Sequence, residues 1–389
     1  MNNAARKKLG LAWALMLACS PALALGYRTS VGPGADKIDV VVVSGTPYAM
    51  GFGQGRLMRE EAVACMGRFL DGALASGAEH LQIPSLDAAW ATIAPFTDPR
   101  FVAELQGMAD GAGVPVEMFR RAHMIPVVSE FACSGVAAWG PATKGGDLFQ
   151  FRNLDFTTTV GLQDYPTIVV YLPSPGVPHV NVTFAGCIGC NTGMNAVGIV
   201  LGEKGEAPWE DFPFDLRGAH FMTLFRTILY DAQTLDQAIG IMRATPRIKK
   251  YYWCLGDGKI PAAVKIKAFA PDLFIWGGGD PMDELVPNVL PHCVYQTMDN
   301  PVAFQALSDA QGRIDEQEMI ALSRSVASRD GNLLNVVYNA SQLELWAAYA
   351  EKSQMASTRP YVHLKLEDYL DVTKVPDGAQ VLEPEPAAP

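Results

Sequence analysis

The chain has 389 residues, with 30 lysines and arginines against 41 aspartates and glutamates, which gives a formal net charge of −11. This acidic balance argues against nucleic acid or an anionic membrane as a partner, because both repel a negatively charged surface. Hydrophobic residues make up 49% of the chain, enough for a large core, and this excludes a mostly disordered protein. We expect one large folded domain or two small ones.

The first 24 residues have the organisation of a secretory signal peptide. Three basic residues precede a short apolar run, Leu9 to Leu17, and Ala22-Leu23-Ala24 offers small residues for cleavage. The apolar run is too short to span a bilayer, and no later run is long enough. We expect a periplasmic or secreted protein with no transmembrane segment. Anchoring as an outer-membrane lipoprotein through Cys19 is the weaker alternative.

The portion from 25 to 132 is predicted to be mainly helical. A short apolar strand at 38–43 comes first. The spacing of apolar residues then predicts helices over 51–74, 101–108 and 116–128.

The portion from 133 to 373 is predicted to be rich in strands, which are short apolar runs bounded by glycine and proline. They lie at 135–139, 148–151, 167–172, 180–184, 197–201, 251–255, 263–267, 334–338 and 344–348. Two helices, at 221–229 and from 234, lie between the earlier and later strands, and Thr234 and Gln237 stand in capping-box register. This order favours an α+β fold with sheets packed together and helices outside. The tail, 374–389, is rich in proline and glutamate and is predicted to be disordered.

Common hydrolase motifs are absent from the sequence. There is no HExxH zinc motif, no GxSxG elbow and no GxxxxGK[ST] loop, and the six histidines are scattered. Cys187 and Cys190 form a single CxxC pair, which is weak evidence for a metal or redox site. A small disulfide ring and two buried thiols both remain open for this pair. We predict no metal and no cofactor.

Cys133 is the candidate nucleophile. It is followed about twenty residues later by Arg152-Asn153-Leu154-Asp155. An arginine lowers the pKa of a neighbouring thiol, and a carboxylate can hold a proton donor in place. These residue types together are typical of an activated nucleophile. The alternative interpretation is a buried core cysteine beside an ordinary ion pair between Arg152 and Asp155.

The segments around Cys133 resemble the penicillin acyltransferase-like family of N-terminal nucleophile (Ntn) cysteine hydrolases. The similar segments are Phe131 to Gly140 and Gly146 to Asp155, with further similarity at Thr192 to Gly198 and Gln296 to Gln305. Bile salt hydrolase and acid ceramidase are similar at a greater distance. The resemblance implies a four-layer αββα sandwich with a helical N-terminal portion, made as an inactive precursor.

The resemblance also implies roles for individual residues. Cys133 would attack the carbonyl of Ala132 and cut the chain into an alpha chain, 25–132, and a beta chain that begins at Cys133. The new α-amino group, with a pKa of about 8, would then serve as the base for the thiol. Arg152 would stabilise the thiolate, and Asp155 would orient the α-amino group.

Two asparagines are candidate oxyanion donors, and a late arginine is expected in the site. The asparagines are Asn195, in the segment Thr192 to Gly198, and Asn300, in the segment Gln296 to Gln305. Each also fits a structural alternative, because asparagine is common in turns and at helix starts. Arg324 and Arg329 are both candidates for the arginine.

The sequence thus predicts an exported, self-processing cysteine amidohydrolase or acyltransferase. Its partner would be a small-molecule amide that joins an acyl group to an amine or amino acid, cleaved through a thioester on Cys133. The alternatives are a lipid ester hydrolase with the same residues and a periplasmic binding protein without activity.

Overall fold

The computed structural model describes residues 25–129, 131–205, 215–269, 272–352 and 354–383. The predicted signal peptide, including Cys19, lies outside these ranges. In the described part of the chain, no helix is both long and apolar enough to cross a membrane.

Nine helices of eight or more residues are present in the described ranges, five before Cys133 and four after it. They are α1 (Pro47–Leu57), α2 (Arg59–Ala75), α3 (Ile83–Ile93), α4 (Pro99–Ala112), α5 (Val116–Val128), α6 (Phe221–Asp231), α7 (Leu235–Ala244), α8 (Asn300–Asp309) and α9 (Glu316–Val326). The predicted start of α7 is confirmed, because the Thr234 side chain accepts a hydrogen bond from the Gln237 backbone N–H.

The strands form two sheets. The first eight are β1 (Leu25–Val31), β2 (Ile38–Gly45), β3 (Ala132–Ala138), β4 (Phe149–Asp155), β5 (Pro166–Pro173), β6 (His179–Phe184), β7 (Thr192–Asn195) and β8 (Ile199–Lys204). The others are β9 (Tyr251–Asp257), β10 (Ala262–Ala268), β11 (Leu273–Gly277), β12 (Cys293–Gln296), β13 (Leu334–Asn339), β14 (Glu344–Tyr349), β15 (Val362–Lys365) and β16 (Gln380–Val381). One sheet has ten strands in the order β11-β10-β9-β8-β7-β6-β5-β2-β1-β16, and the other has six in the order β12-β3-β4-β13-β14-β15.

Two of the three apolar cores in the described ranges arrange these elements in four layers. The larger core lies between the sheets and continues over the outer face of the ten-stranded sheet, where Phe225 of α6 and Ala238 of α7 are buried. The smaller core lies between the six-stranded sheet and the α8–α9 pair, and it includes Phe151 and Ile320. The order is helix, sheet, sheet, helix, so the predicted α+β fold with an αββα sandwich is confirmed.

The N-terminal portion differs from the prediction at its first helix. The single helix predicted over 51–74 is two helices, because Met58 leaves the helical conformation (φ −128°, ψ 31°). The first of them, α1, packs against α4 in direct backbone contact through glycines. A Cβ added at Gly51 would lie 2.0 Å from the carbonyl oxygen of Glu104, so only glycine fits there.

Strands from both ends of the chain complete the ten-stranded sheet. β2 pairs in parallel with β5, and β1 pairs with the C-terminal strand β16. The segment predicted to be disordered, 374–389, therefore differs from the structure at β16. Tyr27 and Arg28 of β1 provide the pairing edge for Val381 and Gln380.

Candidate active site

Cys133 and Arg152 meet in the gap between the two sheets. They lie on adjacent antiparallel strands, β3 and β4, in which Cys133 is paired with Leu154. The guanidinium Nη2 of Arg152 lies 3.0 Å from the Cys133 Sγ, and both side chains are fully buried. The structure therefore brings together the predicted nucleophile and its predicted cation.

Glu203, near the end of β8, contacts both Cys133 and Arg152, and the sequence interpretation missed it. Arg152 donates from Nη2 to the Glu203 Oε2 at 3.2 Å and from Nε to the Glu203 carbonyl at 3.1 Å. The Cys133 thiol lies 3.9 Å from the same Oε2. The available signal was a charged residue directly after the buried apolar run of β8, but Glu203 belongs to the opposite sheet.

Burial dominates the protonation of this group. It raises the pKa of the Cys133 thiol to about 12, although Arg152 acts in the opposite direction. Burial also raises the pKa of the Glu203 carboxyl to about 7, again against the effect of Arg152. The uncut protein therefore holds a protonated thiol beside a carboxylate that can accept a proton near neutral pH.

Asp155 is the last residue of β4 and lies directly opposite Ala132, one pairing position from Cys133. Its Oδ1 accepts hydrogen bonds from the Ser328 backbone N–H at 3.0 Å and from the Asn332 side chain at 2.9 Å. Its Oδ2 is buried and has no hydrogen-bond partner among the described residues. Burial raises the pKa of this carboxyl to about 6. A buried acceptor thus stands next to the bond whose cleavage would create an α-amino group.

The side chain of Asn195 makes its hydrogen bonds to backbone groups of its own turn and of the end of α6. Its Nδ2 donates to the carbonyl oxygens of Leu229 and Ala232 at the end of α6. Its Oδ1 accepts from the backbone N–H groups of Val197 and Ile199. These four contacts engage both polar atoms in the turn after β7, and none of them involves Cys133.

Asn300 is the first residue of α8, and it stabilises the turn before that helix. Its Oδ1 accepts from the backbone N–H of Thr297 at 2.8 Å. The turn touches β3 one residue after the nucleophile, because the Met298 N–H donates to the Ser134 Oγ at 3.0 Å. No contact that the structure describes joins Asn300 to Cys133 itself.

Neither candidate for the late arginine lies beside Cys133. Arg324 donates to the Arg359 carbonyl and packs over the Tyr361 ring, and Arg329 is exposed. The CxxC pair is not bonded either: Cys187 and Cys190 are both free thiols, as are the other four described cysteines. In the described ranges, no three histidine, cysteine, aspartate or glutamate side chains form a group suited to a metal ion.

An apolar pocket lies next to the Cys133 group. Phe131 and Leu154, which are close to the nucleophile in the strand pair, line it together with Phe69, Ile125 and Met222. Pockets with an apolar lining bind the apolar parts of small molecules. Because Phe131 is two residues before Cys133, the pocket lies beside the predicted cleavage point.

Comparison with known proteins gives distant relatives. No family model matches the chain. Protein dcd1B of Dictyostelium discoideum is 25% identical over 358 residues, which are 83% of this chain and 70% of that protein. N-acylethanolamine-hydrolyzing acid amidase of Oryctolagus cuniculus is 26% identical over 163 residues, 41% of this chain and 44% of that protein. The amidase match agrees with the resemblance to Ntn cysteine hydrolases that the Cys133 segment predicts.

Similar solved structures include two hydrolases. The Caenorhabditis elegans N-acylethanolamine-hydrolyzing acid amidase ortholog has 16% identity and a TM-score of 0.43, over 54% of this chain and 93% of that chain. Penicillin V acylase from Agrobacterium tumefaciens has 14% identity and a TM-score of 0.42, over 64% of this chain and 91% of that chain.

Proposed function

We propose that the chain is a self-processing cysteine amidohydrolase that acts on linear amides through a thioester on Cys133. The observation that carries the proposal is the buried group around the thiol, in which Arg152 lies 3.0 Å and Glu203 3.9 Å from the Cys133 Sγ. A cation and a proton acceptor at one thiol are the two requirements of an activated sulfur nucleophile.

The first reaction would cut the chain before Cys133. Glu203 takes the thiol proton, and Arg152 stabilises the thiolate next to it. The thiolate attacks the carbonyl carbon of Ala132, and the C–N bond breaks as the proton held by Glu203 passes to the leaving nitrogen, which leaves a thioester on sulfur and a free α-amino group on Cys133. Water then hydrolyses the thioester: its oxygen bonds to the acyl carbon, the C–S bond breaks, and the Ala132 carboxylate and the Cys133 thiol are released.

The second reaction repeats this chemistry on a substrate. The α-amino group of Cys133, with a pKa of about 8, becomes the base for the thiol. Asp155 holds that group through its buried, unpartnered Oδ2. The substrate amide gives an acyl thioester and a free amine, and the amine leaves with the proton taken from the thiol. Hydrolysis of the thioester completes amide cleavage, whereas attack by a second amine completes acyl transfer.

The substrate would carry an apolar acyl group. The pocket beside Phe131 and Leu154 supports this, because its lining is almost entirely apolar. The name of one relative, an N-acylethanolamine-hydrolyzing amidase, is consistent with an N-acyl substrate. Export by the first 24 residues remains part of the proposal, with the periplasm or the outside of the cell as its destination.

The mass of the purified product tests the proposal. We expect two chains divided between Ala132 and Cys133 in the wild type, and one uncut chain in Cys133→Ala. Cys254→Ala is the matched control, because Cys254 is another buried free thiol on a strand facing the gap between the sheets. An uncut wild-type protein that still turns over N-acyl compounds would contradict self-processing. Turnover of O-acyl compounds alone would indicate the ester hydrolase.

A further inference from the structure

We propose that Asn332 is a positioning residue for Asp155: it fixes one carboxylate oxygen so that the other is presented to the α-amino group of Cys133. This inference rests on the proposed function. It concerns a residue that touches neither the thiol nor the scissile bond in the uncut protein, and it predicts an effect that can be measured without turnover.

The contact between the two side chains is direct and fully buried. Asn332 donates from Nδ2 to the Asp155 Oδ1 at 2.9 Å, and the Ser328 N–H donates to the same oxygen at 3.0 Å. Asn332 has no exposed surface, and Asp155 is 6% exposed. Two donors on Oδ1 fix the rotation of the carboxylate, which leaves Oδ2 as its only unoccupied acceptor.

Asn332 cannot turn away from Asp155 without losing other bonds. Its Nδ2 also donates to the Asn335 Oδ1 at 2.7 Å, and its Oδ1 accepts from the Ser357 backbone N–H at 2.8 Å. Both amide hydrogens and the amide oxygen are therefore engaged. A buried amide in this state is rigid, because any rotation would leave polar atoms unpaired.

The network returns to the strand that carries Asp155. The Asn335 Nδ2 donates to the Tyr361 hydroxyl at 3.1 Å, and that hydroxyl lies 2.8 Å from the Ser323 Oγ. Ser323 in turn donates to the Asn153 Oδ1 at 2.6 Å. Asn153 lies in β4 between Arg152 and Leu154, so the strand is fixed at two points by one connected set of polar side chains.

The unpartnered Oδ2 of Asp155 lies where the new α-amino group would form, so the fixed orientation of this carboxylate matters for binding that group. Asp155 is the pairing partner of Ala132, the residue on the far side of the predicted cut. When the bond between Ala132 and Cys133 breaks, an α-amino group appears beside Asp155. A carboxylate whose orientation is already set loses little entropy in binding that group.

The hydrogen bond from Asn332 should also alter the titration of Asp155. The charged or titratable groups that face Asp155 are Arg152 on its own strand, Lys204 on β8 and the thiol of Cys133 on β3. Arg152, Lys204 and the hydrogen bonds from Ser328 and Asn332 all favour the anion, against its burial. Loss of the Asn332 donor therefore raises the pKa of Asp155, and functions that need the anion are then lost at a higher pH.

The test compares Asn332→Leu with Asn339→Leu. Asn339 is the matched control, because it is a buried asparagine in the same strand region, and it donates to a different carboxylate, Asp147 Oδ2, at 2.9 Å. The first measurement is the titration of the Asp155 carboxyl carbon by NMR in the uncut Cys133→Ala background. We expect Asn332→Leu to raise this titration midpoint by about one pH unit and Asn339→Leu to leave it unchanged.

The second measurement is the pH profile of amide turnover in the processed protein. We expect the acidic limb of kcat/KM to move up with the midpoint in Asn332→Leu, with roughly a tenfold loss on the acid side, and Asn332→Ser to restore part of it. An unchanged midpoint in Asn332→Leu, or the same shift in both leucine variants, would overturn the inference. An uncut, inactive wild type would refute the proposed function instead, while the NMR titration would still decide the role of Asn332.

Discussion

Replacing Glu203 with glutamine tests the most consequential part of the site, the origin of the thiolate in the uncut protein. The substitution keeps the size of the side chain and removes its charge. With a thiol pKa of about 12, only about one Cys133 in 100,000 is a thiolate at pH 7 without a nearby proton acceptor. Glu203, with a pKa of about 7, is about half ionised at that pH and lies 3.9 Å away.

Glu203→Gln has two opposing effects on the rate of self-cleavage, so whether the rate rises or falls shows which effect is larger. Glu203 raises the pKa of Cys133 by charge repulsion, so its neutralisation alone would favour the thiolate and speed self-cleavage. Loss of a positioned general base typically slows a reaction by about 100- to 10,000-fold. If Glu203 is the proton acceptor, the second effect wins and Glu203→Gln cleaves more slowly by that factor.

The assay follows the fraction of cut chain by mass after a jump from acidic pH, and it repeats the measurement across the pH range. We expect the wild-type rate to rise as pH increases through about 7, because Glu203 accepts a proton only when it is ionised. That inflection should be absent from Glu203→Gln. Cleavage as fast as in the wild type, or faster, would refute the assignment and leave the carboxylate as a structural partner of Arg152.

Stability needs its own control, because the substitution removes the charge partner of a buried arginine. Breaking a buried ion pair costs about 3–5 kcal/mol. Glu104→Gln removes the charge partner of another buried arginine, Arg226. Arg226 donates two hydrogen bonds to Glu104, at 2.8 and 2.9 Å, and neither involves the thiol of Cys133. A similar loss of thermal stability in both variants, with slow cleavage only in Glu203→Gln, would separate chemistry from folding.

Two further predictions concern the turn and the pocket. Asn195→Ala should lower the free energy of unfolding by about 1–3 kcal/mol, because it leaves the Leu229 and Ala232 carbonyls and two backbone N–H groups without their partner. Denaturant unfolding measures this loss. A large loss of kcat in a variant that stays stable would instead support Asn195 as an oxyanion donor. Met222→Trp should fill part of the apolar pocket, so kcat/KM measured with a series of N-acyl amides should fall more for long acyl chains than for short ones. An equal loss of kcat/KM for all chain lengths would contradict the acyl-binding role of the pocket.

The parts of the site that could be predicted from the sequence come from one hairpin. Cys133, Arg152 and Asp155 lie on neighbouring strands joined by a short connection, so their spacing along the chain already reflects their spacing in the fold. Glu203 could not be found in this way, because it enters from the other sheet and its contact depends on how the sheets pack. Asn332 is likewise distant in sequence and acts through Asp155.

The asparagine and helix predictions show why local patterns are ambiguous. Asn195 follows a Gly-Met pair in a turn, and that pattern suits both a donor aimed at a ligand and a side chain that satisfies its own turn. The amide reaches the end of α6, a contact that the sequence does not reveal. The break at Met58 is similar: Met58 leaves the helical conformation without being a proline or a glycine, so its residue type does not predict the break.

The hairpin of β1 and β2 has a consequence for what a cut at Ala132 would produce. The hairpin precedes the cut, yet β5 on one side and β16 on the other both follow it, so the N-terminal piece lies between two strands of the C-terminal piece near one edge of the sheet. Separation of the two pieces would break the pairings of β2 with β5 and of β1 with β16 and would expose the apolar residues of β2 that are buried in the larger core, so the two pieces would stay associated after the cut. Processing would change the number of chain ends without changing the number of particles.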